Sequence, residues 1–430
     1  MTRSFNVLKT IVACLLAGFF VSACTSGGSR QSKGTDAVRD SVYRVTLEGE
    51  SCPFAYKADY GVYVPGSAKR IRGVLVLQHG CTMEQFGITR PYDLQYQAFA
   101  RKWDLAVLET ALYGDCHVWH DPESGTAEAL FNVLSIVGAK SGHPEMEGAP
   151  FLLFGHSAGG YWTLAMLRDY PERIIAAVTY SAASDPQWDY PAESAKVPIL
   201  LRHAGDADGV PEILCEATAK HSFSKLRAMD APAGIAYTAG QNHNFSYLRY
   251  MAIPFYEAAL KQRLPKGKST VLKDLDPKKT WLGDPETLEL CKESSFKGDA
   301  VSLCRFPDKL TAENWKEYVS TSTLSDKTAP SAPYDLKVVR TDTSLVLTWK
   351  ADADIESGFS KFNIYKNKVL VGTVPAEGRY QSFDTNGDNT YPLQPARMEF
   401  TISGTDARKV GVESVNQFDL VSKRTICKEF

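Results

Sequence analysis

Short apolar runs alternate with amphipathic stretches over residues 41–268, and no other feature of the sequence constrains the fold as much. Each apolar run has the length of one buried strand, and the stretches between the runs have the apolar spacing of surface helices. Parallel strands joined by helices form a sheet that is covered on both faces. The predicted buried strands are 73–78, 105–110, 151–155, 174–181, 197–203 and 234–239, and the predicted helices are 92–103, 126–139 and 158–170. The sequence therefore predicts an α/β fold with a doubly wound, mostly parallel sheet, bordered by antiparallel strands at 43–47 and 60–64.

Beyond residue 268 the pattern changes twice. Residues 269–327 are polar, and we interpret them as an ordered extension that packs on the sheet domain. The segment Ala329-Pro330-Ser331-Ala332-Pro333 has the composition of a linker. Short alternating strands follow at 335–340, 344–350 and 361–367, without a long helical pattern. Residues 328–430 are therefore predicted to form an all-β sandwich.

The first 23 residues have the pattern of a secretion signal, with a basic start and a short apolar run. The run ends in Val21-Ser22-Ala23-Cys24, which resembles a bacterial lipobox. That resemblance implies cleavage before Cys24 and lipidation of its thiol, with residues 24–40 as a tether. It places the protein in the bacterial cell envelope, attached to a lipid bilayer. An ordinary signal peptide with an incidental cysteine is the alternative.

Composition narrows the range of partners. The chain has 48 basic and 50 acidic residues, and the formal net charge of −2 gives no electrostatic reason to expect nucleic acid as a partner. Of the nine cysteines, Cys14 would leave with the signal and Cys24 would be lipidated, so export to an oxidising compartment would allow up to three disulfides among the remaining seven. The spacing of these cysteines does not resemble a zinc site, and no motif calls for a metal or an organic cofactor.

The chemistry is indicated most strongly by Gly155-His156-Ser157-Ala158-Gly159-Gly160, which fits the pattern G-x-S-x-G. This pattern places a nucleophilic serine on a tight turn between a strand and a helix, where only small neighbours avoid clashes. A predicted strand precedes the motif and a predicted helix follows it. Ser157 is therefore the expected nucleophile, rather than a serine in an ordinary glycine-rich turn.

A serine hydroxyl needs a base, and in this fold the acid and the histidine follow the nucleophile along the chain. His243 lies in a loop after the last predicted strand, whereas His221 falls within a predicted helix. Asp208 follows the strand at 197–203 and is the preferred acid, with Asp206 and Asp185 as alternatives. We expect a carboxylate oxygen of Asp208 within about 2.6–3.2 Å of a His243 ring nitrogen.

An ester hydrolase also needs two backbone N–H groups to hold the oxyanion. One is expected from Ala158, the residue after the serine. The other is expected from Cys81 or Thr82, in the loop that follows the strand at 73–78. His79, in the same loop, is interpreted as structural.

These motifs together resemble the feruloyl esterase and polyhydroxyalkanoate depolymerase branch of the α/β-hydrolases. The resemblance rests on His79-Gly80-Cys81-Thr82, on Cys116-His117-Val118-Trp119, on Ser157-Ala158-Gly159-Gly160 and on the late His243. It covers about residues 70–250, and His156 departs from it because that branch usually has an apolar residue there. The resemblance implies a disulfide between Cys81 and Cys116, whose loops should also lie side by side. A small buried thiol at Cys81 is the alternative.

The last hundred residues resemble a fibronectin type III domain. The matching features are the proline-rich entry, Trp349, Tyr365 and the strand Val410-Gly411-Val412-Glu413-Ser414 with Asn416 after it. We interpret this domain as a spacer that does not shape the active site. Binding of a sugar or polymer is the alternative.

The sequence thus predicts a serine carboxylic ester hydrolase that works through an acyl-enzyme. Its substrates would be acylated polysaccharides or other acyl esters, such as acetyl or feruloyl esters. A serine peptidase of the same fold and a non-catalytic binding lipoprotein are the alternatives. Trp119, Trp162 and Trp188 could stack on sugars, but filling the core is the simpler role.

Overall fold

A computed structural model describes residues 40–430, except 185, 210–213, 245, 377–379, 381–396 and 429. The predicted signal, the tether to residue 39, Cys24 and the alternative acid Asp185 lie outside the described residues.

Eight strands build the principal sheet. They are β1 (Ser41–Glu48), β2 (Lys57–Val64), β3 (Gly73–Gln78), β4 (Leu105–Tyr113), β5 (Phe151–His156), β6 (Ile174–Tyr180), β7 (Ile199–His203) and β8 (Ala233–Tyr237). Their order is β1-β2-β4-β3-β5-β6-β7-β8. Strand β2 is antiparallel to both of its neighbours, and the remaining strands are parallel. The mixed sheet and its antiparallel edge confirm the predicted α/β fold with a mostly parallel sheet.

Helices follow most of the strands. They are α1 (Leu94–Trp103), α2 (Cys116–Trp119), α3 (Thr126–Ser141), α4 (Ala158–Asp169), α5 (Cys215–Ala228) and α6 (Leu248–Arg263). Strands β3, β5 and β6 are buried along their whole length, because helices cover both faces of the sheet. Among the described residues, no helix combines the length and the apolar character that crossing a membrane requires.

The extension after residue 268 is ordered and covers the edge of the sheet at β8. It contains β9 (Trp281–Gly283), β10 (Leu290–Lys292), β11 (Cys304–Phe306) and α7 (Lys309–Thr321), and its strands pair in the order β10-β9-β11. The indole N–H of the buried Trp315 donates to Ile235 O of β8 at 2.7 Å. The Arg227 guanidinium donates to Leu303 O at 2.7 Å and to Ala300 O at 2.8 Å. These contacts protect an edge strand that would otherwise be open to pairing.

The C-terminal part is all-β, as predicted. Its strands are β12 (Tyr334–Arg340), β13 (Ser344–Lys350), β14 (Lys361–Lys366), β15 (Val369–Val374), β16 (Glu399–Ser403), β17 (Val410–Val415) and β18 (Thr425–Cys427). They form two sheets, β12-β13-β16 and β15-β14-β17-β18. Trp349 and Phe362 are buried between these sheets with their rings 5.4 Å apart.

The C-terminal sheets follow the linker in the chain, and they also pack against helix α1. Ala98 of α1 belongs to their apolar core, and Gln95 Nε2 donates to Ile355 O at 2.9 Å. Arg101 pairs with Asp352 at 3.5 Å. The described residues from 40 onward belong to one compact unit. The independence of the catalytic site from this part stays a prediction.

Candidate active site

Ser157 lies between β5 and α4 in a strained backbone conformation, with φ 53° and ψ −118°. Positive φ is unfavourable for a residue with a Cβ and occurs where the surrounding structure enforces it. Here the Ser157 N–H donates to Tyr180 O at 2.9 Å, and Ser157 O accepts from Gly160 N at 2.8 Å. The serine is therefore held on the sharp turn that the motif predicts.

The glycines of the motif are required by close backbone approaches. A Cβ on Gly155 would lie 2.0 Å from Gly159 O. A Cβ on Gly159 would lie 2.5 Å from the carbonyl oxygens of Gln78 and His79. Because Gly159 touches the end of β3, the turn at Ser157 lies directly against the loop that should supply an oxyanion donor.

His243 lines the same pocket as Ser157. This pocket has a volume of about 510 Å³. It includes all the predicted donor residues, as well as two histidines of the segment after β4; the residues concerned are Cys81, Thr82, Ser157, Ala158, His243, His117 and His120. The structure thus brings together the predicted nucleophile, the predicted base and the loop of Cys81 and Thr82, which is the predicted oxyanion loop.

Among the predicted acids that the structure describes, Asp208 is the one that faces His243. Its carboxylate is buried, and Asp208 Oδ1 lies 3.6 Å from His243 Nδ1. This distance is longer than the 2.6–3.2 Å expected for a hydrogen bond, so the predicted distance is wrong for this structure. The reason is that the Ala204 N–H, which Asp208 Oδ2 accepts at 2.8 Å, fixes the carboxylate with only Oδ1 facing His243, at a distance too long for a hydrogen bond. The alternative Asp206 is exposed to solvent.

The protonation of Asp208 is controlled by opposing effects. Burial raises the pKa of a carboxyl group, but polar contacts with His243, Ser181 and Ala204 and the charge of Arg202 outweigh it. The net result is a pKa below the ordinary value. Asp208 is therefore ionised at neutral pH, as an acid that stabilises an imidazolium must be.

Arg202 was not identified from the sequence because it lies within an apolar strand run. Its side chain is fully buried. It donates to Ser181 Oγ at 2.5 Å, to Thr238 Oγ1 at 2.8 Å and to Asn242 O at 3.0 Å. The guanidinium therefore joins the ends of β6 and β8 to the residue before His243. A charged residue inside a buried strand next to the acid loop is the signal that could have pointed to it.

His156 is a second residue whose contact with the His243 loop the sequence did not indicate. Its buried ring places Nε2 2.7 Å from His243 O and Nδ1 3.0 Å from Met83 Sδ. Burial, together with the charge of His243, lowers the pKa of His156 well below its ordinary value. The neutral ring therefore donates its Nε2–H to His243 O, and it connects the serine turn to the histidine loop and to the residue after the oxyanion loop.

The oxyanion loop is fixed from two sides. Cys81 and Cys116 form a disulfide with their Cα atoms 5.4 Å apart, which is the pair named from the resemblance. The neutral ring of His79 accepts the Leu112 N–H at 2.8 Å and contacts Gly80 O at 2.6 Å. Burial lowers the pKa of His79 to about 4, in agreement with its structural role. No backbone acceptor in the described part of the chain takes the N–H groups of Cys81, Thr82 or Ala158.

The aromatic residues near the site divide into two groups. Trp119 and Trp162 are buried, so they fill the core as the simpler interpretation predicted. His120 stacks on Tyr161 with ring centres 4.2 Å apart, and Tyr161 meets Trp188 edge-on at 5.0 Å. His120 is the member of this stack that lines the pocket.

Comparisons with known proteins give the following similarities. No family model and no curated protein sequence matches the chain. A solved structure described as a ferulic acid esterase is 14% identical, covering 52% of this chain and 96% of its own, with a TM-score of 0.37. An S-formylglutathione hydrolase from Agrobacterium tumefaciens is 15% identical over 53% of this chain and 95% of its own, with a TM-score of 0.35. An α/β-hydrolase from a Medee basin deep-sea metagenome library is 14% identical over 48% and 84%, with a TM-score of 0.35.

Proposed function

We propose that the protein is a serine carboxylic ester hydrolase with Ser157 as nucleophile, His243 as base and Asp208 as the acid that supports the base. The observation that carries this proposal is the strained Ser157 at the start of α4, in one pocket with His243 and with backbone N–H groups that lack a backbone acceptor. Strain of this kind is retained where the surrounding structure and the chemistry require it.

In the first half of the reaction, Ser157 Oγ attacks the ester carbonyl while His243 takes its proton. The negative charge on the carbonyl oxygen is held by the N–H of Ala158 and by that of Cys81 or Thr82. Collapse of this intermediate expels the alcohol, which takes the proton from His243. Water then attacks the acyl-enzyme by the same route and releases the acid.

The structure suits these reaction steps because the N–H donors for the oxyanion are held in place before the substrate arrives. The disulfide and the His79 contacts restrain the loop of Cys81 and Thr82, and the start of α4 restrains Ala158. Donors that do not reorganise stabilise a developing charge more strongly than mobile ones.

The decisive experiment compares Ser157→Ala with Ser184→Ala, since both serines line the pocket. We expect Ser157→Ala to lose at least about three orders of magnitude in kcat on p-nitrophenyl acetate and to lose covalent labelling by a fluorophosphonate. The Ser184→Ala variant should still be labelled, at Ser157. Labelling at Ser184 in the wild type, or full activity of folded Ser157→Ala, would exclude Ser157 as the nucleophile.

We also propose that the substrates are acylated polysaccharides or small acetyl and feruloyl esters. This rests on the resemblance of His79-Gly80-Cys81-Thr82 and Ser157-Ala158-Gly159-Gly160 to the feruloyl esterase branch, and on a pocket wall that contains His117 and His120. A panel of nitrophenyl, feruloyl and acetyl-xylan esters, with peptide amides as the contrast, tests it. Faster cleavage of peptide amides than of every ester would exclude the proposal.

Finally, we propose that lipid on Cys24 anchors the protein in the cell envelope and that residues 328–430 form a fibronectin type III-like spacer. Cys24→Ser should move the protein from the membrane fraction to the soluble fraction of a bacterial host. Unchanged membrane association of this variant would exclude the anchor.

A further inference from the structure

Three potential metal ligands meet on the side of His243 that faces Asp208. His243 Nδ1 lies 3.6 Å from Asp208 Oδ1 and 3.6 Å from Cys215 Sγ. The three ligand atoms all lie within 4.8 Å of one another. Asp208 and Cys215 are buried, and Cys215 is the first residue of α5.

The two separations measured from His243 Nδ1 fit a single zinc ion. Zinc binds thiolate sulfur at about 2.3 Å, imidazole nitrogen at about 2.0–2.1 Å and carboxylate oxygen at about 2.0–2.2 Å, in tetrahedral geometry. Ligand atoms around such an ion therefore stand about 3.3–3.6 Å apart. Cysteine, histidine and aspartate are also the residue types that zinc prefers.

One of the three ligand atoms lacks a hydrogen bond. Asp208 Oδ1 is buried and has no hydrogen-bond donor within normal distance among the described residues, since His243 Nδ1 lies 3.6 Å away and Arg202 Nη1 lies 3.9 Å away. A buried carboxylate oxygen without a hydrogen bond is destabilising, and a bound cation would offset this cost. The other oxygen is held by Ala204 N–H, so Oδ1 stays directed toward His243.

A separate pocket reaches two of the three ligands, Asp208 and Cys215. It has a volume of about 740 Å³ and is lined by Asp208, Cys215, Gly209 and Leu214, among others. Ser157 and His243 line a different pocket. An ion can therefore reach Asp208 and Cys215 without passing through the space assigned to the ester.

We propose that Asp208, Cys215 and His243 form a zinc-binding site and that zinc bound there inhibits the enzyme. A water molecule would complete the coordination. The metal site stands on geometry alone, whereas its inhibitory effect rests on the proposed esterase function.

The inhibition follows from the position of one proton. As a base, neutral His243 carries its proton on Nδ1 and keeps a lone pair on Nε2 for Ser157. When zinc takes the Nδ1 lone pair, the ring proton moves to Nε2, and the Cys215 thiol releases one proton to solvent. His243 then has no lone pair for the serine proton, so acyl transfer stops. Because zinc would bind at Nδ1 of His243 and outside the space assigned to the ester, it should lower kcat and leave KM nearly unchanged.

Cobalt binding tests the site without any need for activity. The full chain carrying Ser157→Ala, titrated with Co²⁺, should develop the visible bands of tetrahedral cobalt and a thiolate-to-cobalt charge-transfer band. Adding Cys215→Ser should remove the charge-transfer band and weaken binding at least about tenfold. Cys304→Ser is the matched control, because Cys304 is also a buried free thiol but its sulfur contacts the backbone of Ile235. A charge-transfer band that survives Cys215→Ser, or that is absent in the parent, overturns the site.

X-ray absorption of zinc-loaded wild type tests the site without variants that could misfold. One sulfur neighbour per zinc is expected, and the absence of a sulfur neighbour would refute the site.

Kinetics then test inhibition. Zinc should reduce kcat on p-nitrophenyl acetate reversibly, with recovery after EDTA, and Cys215→Ser should need at least about tenfold more zinc relative to its own metal-free rate. Ester hydrolysis without cobalt binding refutes only the metal site. Cobalt binding without any ester hydrolysis refutes only the proposed function.

Discussion

Gly159→Ala should impair catalysis through the oxyanion loop, because of where its new methyl group would lie. The added Cβ would be 2.5 Å from the carbonyl oxygens of Gln78 and His79, whereas ordinary contacts begin at 3.4 Å. The end of β3 or the start of α4 must therefore shift by about 0.9 Å. Neither partner is a flexible side chain, so the backbone has to absorb this movement.

Both stability and rate should change. Overpacking of this kind costs about 1–3 kcal/mol of unfolding free energy. A displacement near 1 Å between reacting groups can reduce the rate about 100-fold. Loss of one oxyanion donor costs about 100- to 1,000-fold in kcat. We therefore expect kcat to fall about 100-fold or more while KM changes little, because the shifted donors act on the transition state.

Gly148→Ala is the matched control, since a Cβ at Gly148 meets nothing within 4 Å. Urea unfolding gives the stability of both variants, and kcat and KM are measured on p-nitrophenyl acetate well below the unfolding midpoint. If Gly159→Ala loses stability but keeps kcat within about twofold of Gly148→Ala, the β3 loop does not supply a donor. If it loses neither, the close approach itself is wrong.

Three further changes test other parts of the site. Asp208→Asn should lower kcat about 10³- to 10⁴-fold, and Asp206→Asn should not; the reverse order would reassign the acid. Because the pKa of Asp208 lies below its unfolded value of about 3.9, its contribution to stability is present above that pH and is lost as the pH falls through the folded value. Acid unfolding followed by circular dichroism should therefore show a weaker pH dependence in Asp208→Asn. His156→Leu should lower kcat about tenfold by releasing the His243 loop, and His156→Gln, whose amide can still donate, should recover most of it; equal loss in both would indicate packing alone. A protein that ends at Lys327 should keep its kcat on small esters but unfold at lower urea, because the outer face of α1 becomes exposed; a folded but inactive truncation would reject the spacer interpretation.

The local parts of the architecture could be read from the sequence. Strand and helix periodicities are properties of neighbouring residues, so the positions of β3 and β5 and the turn at Ser157 follow from a few residues each. Gly155 works in the same way, because its nearest neighbour in space is Gly159, whereas Gly159 is required by Gln78 and His79 from a distant segment. The loop histidine was located by chain order, which the direction of the strands imposes.

The sequence located the turn that carries the predicted acid, but it did not decide between Asp206 and Asp208. Asp206 and Asp208 stand two residues apart in one turn, and no local pattern separates them. The turn buries Asp208 toward His243 and leaves Asp206 exposed, and the Ala204 N–H decides the distance. That distance depends on how the ends of β7 and β8 stand side by side, which the sequence does not specify.

The contacts that support His243 were decided by tertiary structure alone. Arg202, His156 and Cys215 come from three distant segments, and each reaches the histidine loop because parallel strands end at one edge of the sheet. The same reason explains why the cysteine spacing gave no indication of a metal site, since a single cysteine joins an aspartate and a histidine from other loops. Periodicity predicts which residues form a strand, but only the packing of strands and helices places side chains from distant segments against His243 and its loop.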